Sequence, residues 1–384
     1  MNDNTNDRGQ NNEAPRYNSQ NAAPQPETPA ETPRPSAIKK LMTWKVALFL
    51  IIGGLILLVI GWEAGGRGKG FYIDLNGIHI TTANGGSDGA EDTVVNERSL
   101  ASFHSVDIST SSINIELIAS DHYGLEIRMP SEYELEWSNE GGCLTVQTKA
   151  HLGGIRLFNF NFYFGESQYI KVYYPKNAEL NDVSLKANSG NIKGSQITAR
   201  ELSAISTSGN INLSVDRYNT ATLKANSGEI SFTGTSGDRA DLTATSGNIH
   251  ADIDSCGIVQ ISANSGNIAV NRKGSGSTAI TAKATSGNIR LDGNSWTDLS
   301  ATANSGEVRV FGELLGKTDI KTTSGNTAIT VYGRIDDYGY SLTVSSGNIS
   351  VDGSRMGSPA TRSGSYPNHI NAKANSGNIR LEFN

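Results

Sequence analysis

The chain has 384 residues, of which 32 are basic and 38 acidic, so its net charge is −6. An acidic chain has no general attraction for phosphate, which argues against a nucleic-acid-binding protein. The 42 glycines follow no three-residue period and there are only ten prolines, which excludes collagen. The two cysteines, Cys143 and Cys256, lie too far apart in sequence to indicate a disulfide scaffold. The length allows two or three ordinary domains or one long repeat domain.

Residues 1–44 are predicted to form a disordered cytoplasmic tail. The segment is rich in Asn, Gln, Thr, Ala and Pro, and before Ile38 it contains no Val, Ile, Leu or Phe. Such a segment cannot bury enough apolar surface to offset the entropy lost when a chain is ordered. Its Pro-x-Pro pieces allow a peptide-binding role, but the composition favours a plain spacer.

Residues 45–62 are predicted to form a transmembrane helix. The run Val46–Trp62 is uncharged over 17 residues, and as a helix it would be about 25 Å long, just enough to cross a bilayer. Trp44 and Trp62 lie where interfacial aromatic residues are preferred. More basic residues precede the run than follow it, which predicts a cytoplasmic N-terminus and an exterior location for everything after residue 63. Residues 63–95 are predicted to be a juxtamembrane linker.

Residues 181–384 contain an internal repeat that is marked by a Ser-Gly pair, mostly at intervals of 19 residues. Mostly apolar residues lie five and three positions before the glycines and two and four positions after them, and this period of two is typical of strands. The inward-facing residues lie at odd offsets before the glycine and at even offsets after it, which a straight strand cannot accommodate, so the chain must bend there. Glycine supplies the positive φ that such a bend often needs. The glycines are Gly190, Gly209, Gly228, Gly247, Gly266, Gly287, Gly306, Gly325, Gly347 and Gly377.

The repeat predicts an all-β fold in which short strands wind into a β-solenoid, and each unit buries its apolar residues against neighbouring units. Two residues before the glycine, Asn and Thr alternate along most of the repeat. If like residues stack on like, one coil holds two units, about 38 residues; a coil of one unit is the alternative. Residues 96–180 are predicted to be the N-terminal capping part, because Val106–Ile115 repeats the strand-turn-strand pattern and terminal units are usually atypical. The aromatic segment His151–Gly165 is predicted to belong to this cap, with a lipid or ligand patch as the alternative.

The predicted span, the degenerate unit, the apolar strand that ends Val172-Tyr-Tyr-Pro-Lys176 and the tandem Ser-Gly-Asn-Ile units resemble the bacterial putative-adhesin family of unknown-function domains. The resemblance covers roughly residues 95–384. It implies a right-handed β-helix at the cell surface, and relatives are often linked to envelope-stress regulation in Gram-positive bacteria. The family offers no catalytic residues to carry over.

The sequence contains no motif for catalysis, metal binding or cofactor binding. Calcium-binding β-rolls place carboxylates in every turn, whereas these turns carry Asn and Ser, and the six histidines lack metal-ligand spacing. A polysaccharide lyase or hydrolase needs clustered carboxylates or a metal with a base, but the outward positions are mainly Thr, Ser, Asn and Lys. We therefore predict a membrane-anchored, non-enzymatic binding module without a cofactor, whose partner is cell-wall or extracellular polymer, lipid or a membrane protein. A carbohydrate-active enzyme on the same scaffold is the alternative.

The predicted binding residues lie where the 19-residue repeat is interrupted, at Asn271–Thr278, Tyr332–Tyr340 and Gly353–Asn368. Tyr and Arg are enriched at binding hot spots, and the alternative is that the loops only shield the C-terminal end. With two units in each coil, the first and third loops would share an edge and the second would lie opposite, splitting the patch. The predicted binding residues are Tyr332, Arg334, Tyr338, Arg355, Met356, Arg362 and Tyr366.

Overall fold

The computed structural model describes residues 70–74, 77–81, 93–130, 133–150, 158–160, 168–274, 276 and 278–384. Over these residues the protein is all-β, with one short 3-10 helix at Ile335–Asp337. In this described part of the chain, no helix has the length and apolar character needed to cross a membrane. The predicted tail, the predicted span at 45–62 and most of the aromatic segment lie outside the described residues.

Ten strands precede the regular repeat. The strand-turn-strand pattern predicted at Val106–Ile115 is confirmed by two of them, at Ser105–Thr110 and Asn114–Ser120. The ten are β1 (Gly70–Asp74), β2 (Gly77–Thr81), β3 (Thr93–Glu97), β4 (Ser105–Thr110), β5 (Asn114–Ser120), β6 (Gly124–Met129), β7 (Tyr133–Glu140), β8 (Cys143–Ala150), β9 (Phe158–Phe160) and β10 (Tyr169–Pro175). Strands β1, β2 and β9 form a separate antiparallel sheet in the order β2-β1-β9, so the segment predicted as a linker contains a hairpin.

Sixteen further strands form the repeat and its C-terminal end. They are β11 (Leu180–Ala187), β12 (Ile192–Ser206), β13 (Ile211–Ala225), β14 (Ile230–Ala244), β15 (Ile249–Ser265), β16 (Ile268–Arg272), β17 (Ala279–Ser286), β18 (Ile289–Ser305), β19 (Val308–Ser324), β20 (Thr327–Val331), β21 (Tyr338–Ser346), β22 (Ile349–Val351), β23 (Ser354–Met356), β24 (Ala360–Arg362), β25 (Asn368–Ser376) and β26 (Ile379–Phe383). The predicted inward positions are confirmed: Leu242, Ala244, Ile249 and Ala251, which flank Gly247, are all buried in one continuous core.

Each 19-residue unit is one complete coil. Ile192 pairs with Ile211 and Ile211 pairs with Ile230, in parallel ladders that continue through the repeat. The prediction of two units in each coil is therefore wrong. The alternating Asn and Thr residues occupy one edge instead of forming two separate ladders, because consecutive units stack directly on each other.

A column of closely packed glycines explains the Ser-Gly pair. A Cβ added to Gly247 would lie 1.9 Å from the carbonyl oxygen of Gly228 in the neighbouring coil, and an equally close approach recurs at the other nine turn glycines. At four of the ten, φ is positive, between 144° and 158°. At the remaining six, including Gly247, the close approach of the backbone excludes a side chain. The expected need for a positive φ is wrong at those six.

Where the residue after the glycine is Asn, its side chain joins neighbouring turns in most units. Oδ1 of Asn191 accepts a hydrogen bond from the backbone N–H of Asn210 at 2.9 Å, and Oδ1 of Asn210 accepts one from Glu229 at 2.8 Å. The same bond links Asn267 to Asn248 at 2.9 Å. A short side chain with a carbonyl oxygen therefore satisfies a backbone donor that the bend leaves outside the strand ladder.

The last unit in the sequence is not the last coil in space. Strand β25 pairs with β19 on one side and with β21 on the other, and β26 lies in the same way between β20 and β22. The coil of Gly377 is thus inserted between the coils of Gly325 and Gly347. The turn contacts follow this order, because the backbone N–H of Asn378 bonds to Asn326 and that of Asn348 bonds to Asn378.

Antiparallel strands cover both ends of the parallel ladders. At the C-terminal end β23 pairs with β22 and β24 pairs with β21. At the N-terminal end β6 pairs with β10, β3 with β6, and β7 with β8. These strands satisfy the backbone groups that the outermost parallel coils would otherwise expose. The third interrupted loop, which supplies β23 and β24, is therefore an end cap.

Candidate binding surface

The three interrupted loops leave the solenoid at one corner, which we name the loop corner. It lies between the strand that follows each Ser-Gly turn and the strand that leads to the next turn. The first loop follows Arg272 and the second follows Val331, and the ladder places both residues in one column with Gly293 and Gly312. The third follows Val351, which pairs with Leu381 of the same stack. Because each unit is one coil, the expected division of the loops between opposite edges is wrong.

Three of the predicted binding residues gather around Asp336 at the loop corner or contact its partners, and a fourth lies in the same loop. Nη2 of Arg362 lies 2.9 Å from Oδ1 of Asp336, and Nε of Arg362 donates to the hydroxyl of Tyr366 at 3.1 Å. Nη2 of Arg334 lies 3.6 Å from the other carboxylate oxygen of Asp336. The hydrogen bond with Tyr366 raises the pKa of Arg362 above its usual value. Tyr332, in the same loop as Arg334, is 46% exposed.

Arg355 and Met356 lie elsewhere, on the end-cap strand β23. Nη2 of Arg355 donates to Oδ1 of Asn348 at 2.5 Å, beside the Ser-Gly turn of Gly347. Met356 pairs with Ile349 and its side chain is 39% exposed. The structure therefore does not bring the seven predicted residues together: one group lies at the loop corner and the other lies near the opposite turn.

Tyr338 does not fit the predicted binding role. It is only 2% exposed, and its ring centre lies 5.4 Å from that of Phe383 inside the last coils. Burial raises the pKa of its hydroxyl. The residue is nine positions before Gly347, and in most other units that position is not buried, as at Asn219 and Asp238, so the repeat pattern gave no signal that Tyr338 belongs to the core.

The outer face of the solenoid contains a slot with a volume of about 410 Å³, which the sequence analysis missed. Its floor is the coil of Gly325, where Ala328 pairs with Arg309 on one side and with Arg380 on the other. We name it the Arg slot. Its floor presents Asn326, Ala328 and Thr330, one wall presents Glu307, Arg309 and Phe311, and the other presents Asn378, Arg380 and Glu382.

Each wall of the Arg slot contains an ion pair between residues two positions apart on one strand. Residues at this spacing share a face of the sheet. Nη2 of Arg309 lies 2.8 Å from Oε2 of Glu307, and this hydrogen bond raises the pKa of Arg309. Arg380 forms the corresponding pair with Glu382. The two walls thus contribute two positive and two negative charges, so the slot has no net charge.

An aromatic ring completes the first wall. Phe311 is half-buried, and the guanidinium carbon of Arg290 lies 5.2 Å from its ring centre. This wall therefore offers a carboxylate, a guanidinium and an apolar ring within five residues: Glu307 directly before β19, and Arg309 and Phe311 on it. The wall formed by β26 has no aromatic residue among those that line the slot.

The two carboxylates of the Arg slot are separated both along and across the sheet. Glu307 and Glu382 are four residues apart along the strand direction and two strands apart across the sheet, which places their Cα atoms about 16 Å from each other. Paired catalytic carboxyl groups lie about 5–9.5 Å apart. Among the described residues, no three His, Cys, Asp or Glu side chains are grouped so that they could hold a metal ion.

The carboxyl pKa shifts also differ from those of a general acid, whose pKa must be raised. The hydroxyl of Tyr169 lowers the pKa of Glu126. Burial acts to raise the pKa of Asp319, but hydrogen bonds from Lys317 and Asn371 lower it overall.

The family model described as Toastrack DUF4097 matches residues 103–292 and 255–382 of the chain. No protein with a curated description matches it. A putative adhesin from Bacteroides fragilis has a similar solved structure, with 12% identity, coverage of 76% of this chain and 98% of that chain, and a TM-score of 0.30. A putative adhesin from Parabacteroides merdae is 13% identical, with coverage of 77% of this chain and 97% of that chain and a TM-score of 0.30. A putative cell adhesion protein from Clostridium sporogenes is 8% identical, with coverage of 76% of this chain and 100% of that chain and a TM-score of 0.15. With TM-scores this low, the family assignment rests on the sequence match.

Proposed function

Because the chain belongs to the Toastrack DUF4097 family, we propose that it is an adhesin-like module at the cell surface that binds a partner without catalysing a reaction. The observation that carries the proposal is the shared loop corner. The first, second and third loops all interrupt a regular stack there, and the second and third concentrate Tyr and Arg side chains on an otherwise small and polar surface. Tyr and Arg combine contact area with directional hydrogen bonds, as binding hot spots require.

The anchoring part of the proposal rests on the sequence. The apolar run at 45–62 would hold the chain in the membrane with its N-terminus in the cytoplasm and the solenoid outside. Its partners would then be wall polymer, extracellular polymer, lipid or a membrane protein. The link to envelope stress that the resemblance implies stays a prediction.

Protease treatment of intact cells tests the location. Cells producing the full chain with an N-terminal tag should lose the solenoid to added protease and keep the tag, whereas lysed cells should lose both. A solenoid that is cleaved only after lysis would contradict the proposed location and the proposed function with it.

Binding is tested on immobilised wall fragments with cells that carry matched variants. Tyr332→Ser with Arg334→Ser removes two exposed side chains of the loop corner, whereas Lys224→Ser with Lys283→Ser removes two exposed side chains from regular coils. We expect about a tenfold loss of binding for the first pair and less than a twofold change for the second. Equal binding by both pairs would contradict a role for the loop corner.

A further inference from the structure

We propose that the Arg slot binds a short stretch of a neutral glycan. This inference deepens the proposed function and rests on it, because such a ligand is available to a solenoid on the outside of the cell. The slot is built by two segments, 307–311 and 378–382, that lie on either side of β20 only because the coil of Gly377 is inserted after the coil of Gly325.

The shape of the slot excludes the common peptide ligands. Its walls are two strand spacings apart, about 10 Å between backbones, which is too narrow for a helix about 10–12 Å in diameter. An extended peptide binds by adding a strand to an open sheet edge. The floor strand β20 has no open edge, because it pairs with β19 on one side and β26 on the other. A slot of about 410 Å³ does lie within the range of about 300–1,000 Å³ that small-molecule sites occupy.

The polar groups of the walls match sugar hydroxyls. Each guanidinium offers N–H donors in a plane, and each carboxylate offers acceptors beside it. A hydroxyl group needs both, because it donates one hydrogen bond and accepts others. Asn326 and Asn378 use their Oδ1 atoms to accept backbone bonds from the next coil, so their NH2 groups are the donors that they can present to a ligand.

The charge balance selects a neutral ligand over an acidic one. Two Arg and two Glu side chains leave the slot without the positive field that attracts phosphate or polyanions. The apolar parts of the site, Phe311 and Ala328, match the C–H face of a sugar ring, since ligand sites combine apolar contact with a few placed polar groups.

The slot is also organised before a ligand arrives. Arg309 is held by Glu307 and Arg380 is held by Glu382, on strands that are paired on both sides. Fewer side-chain rotations are then lost on binding, which lowers the entropic cost of association.

The test uses one substitution in the slot and the same substitution outside it. Ala328→Arg places a long side chain on the floor, directly between Arg309 and Arg380. The like charges will cost some stability, so urea unfolding first checks that the variant is folded. Ala269→Arg is the matched control, since Ala269 occupies the same register position in another coil, between His250 and Arg290. The full-length chain in detergent is titrated with chitotetraose, cellotetraose and maltotetraose, and with tetragalacturonate as the acidic comparison.

We expect at least one neutral tetrasaccharide to bind the wild type, about tenfold weaker binding to Ala328→Arg, and a change below about twofold for Ala269→Arg. Phe311→Thr gives a second slot variant in case Ala328→Arg does not fold, because the neighbouring strand already carries Thr330 at that register. It should weaken binding as well. No binding of any neutral sugar at about 10 mM, preference for tetragalacturonate, or equal affinity of the slot variants and the control would overturn the inference.

The failure of this inference can be told apart from the failure of the proposed function. If protease reaches the solenoid on intact cells but no neutral tetrasaccharide binds, the slot assignment is wrong and the surface module remains. If sugars bind the purified chain but protease reaches the solenoid only after lysis, the slot stands and the proposed location is wrong.

Discussion

The regular middle of the solenoid and its C-terminal end use the same contacts with different chain connections. Between β12 and β19 most residues pair with the residue 19 positions further on, as Asn191 does with Asn210. At the end, the coil of Gly325 is followed in space by a coil 52 residues further along the chain, and then by one 30 residues back. Even so, a Cβ added to the turn glycine would lie 2.0 Å from a carbonyl oxygen in both regions. In both, the Asn side chain also accepts a backbone hydrogen bond of 2.9–3.0 Å. The contact between two coils is therefore independent of the loop that connects them.

This independence lets the end of the chain lie inside the stack. The segment after β20 forms the outermost parallel coil, with β21 and β22, and its antiparallel cap, with β23 and β24. The last two strands, β25 and β26, lie between that coil and the coil of β19 and β20. The terminal strand is thus paired on both sides, where an open edge would otherwise offer unpaired backbone groups to another chain. The insertion also creates the Arg slot.

The largest effect should follow from placing a side chain in the glycine column. Gly247→Ala puts a Cβ 1.9 Å from a backbone oxygen, so the turn must shift, and we expect a loss of about 3 kcal/mol or more in the free energy of unfolding. Gly353→Ala is the control, because that glycine has φ of +74° but no neighbour within 4 Å of its Cβ position. It should cost only about 1 kcal/mol. Urea unfolding of both variants measures the difference.

Equal costs for the two glycine variants would contradict the packing explanation and favour a conformational one. Because coils are coupled mainly to their neighbours, unfolding of Gly247→Ala should also begin near that coil. Hydrogen exchange along β13 to β15 would report where the first loss of protection occurs.

A second large effect should appear in the exchange rates of the chain end. Terminal strands normally fray, but β25 and β26 lie between other coils, so their amides should exchange about a hundredfold more slowly than those of the cap strands β23 and β24. Hydrogen–deuterium exchange followed by mass spectrometry on peptides from 368–383 and 354–362 makes the comparison. Faster exchange in 368–383 would contradict the inserted order.

The sequence predicted the family, the all-β repeat and its inward positions, because period-two patterning and a fixed spacing are local properties, and the family match confirms the resemblance. It did not predict which coils are neighbours at the end. Each unit carries the same turn chemistry, so nothing local distinguishes the correct partner of Gly325 from the next unit along the chain. The Arg slot was missed for the same reason: Ala328 and Arg380 are 52 residues apart in sequence and become neighbours only through the insertion.

A smaller effect should separate two columns of Asn residues. Asn210, after its glycine, accepts a backbone hydrogen bond of 2.8 Å from the next coil, so Asn210→Ala should cost about 1 kcal/mol. Asn226, two residues before Gly228, belongs to the alternating Asn and Thr positions and is exposed, so Asn226→Ala should change stability by less than about 0.5 kcal/mol. Thermal and urea unfolding of the two variants provide the measurement. A larger loss of stability for Asn226→Ala would mean that the Asn and Thr positions before the glycine, and not the Asn residues after it, join neighbouring coils.

The smallest effect concerns the N-terminal end, where a carboxylate instead of an Asn column joins the strands. The hydroxyls of Tyr169 and Tyr173 donate to the two oxygens of Glu126 at 2.5 Å and 2.9 Å. The bond from Tyr169 is the main reason that the pKa of Glu126 lies below its ordinary value. Because the folded state has the lower pKa, Glu126 stabilises the fold above the ordinary pKa of Glu, and this contribution is lost as the pH falls through the lowered value.

Glu126→Gln should therefore destabilise the chain at pH 7 by no more than about 1 kcal/mol, since the site is half-exposed, and the difference from wild type should shrink as the pH falls through the lowered pKa of Glu126. Glu136→Gln on β7 is the control for the loss of one exposed carboxylate and should change stability at pH 7 by less than about 0.5 kcal/mol. At high pH the sign reverses for the partners: burial, together with the bond to Glu126, raises the pKa of Tyr173 to about 12, so its contribution is complete at neutral pH and is lost as the pH rises through that value. Urea unfolding of both variants and wild type, followed from pH 7 down to the lowest pH at which the wild type stays folded, decides the case. A Glu126→Gln difference that does not shrink over this range would mean that packing, and not the charge on the carboxylate, holds β6 to β10.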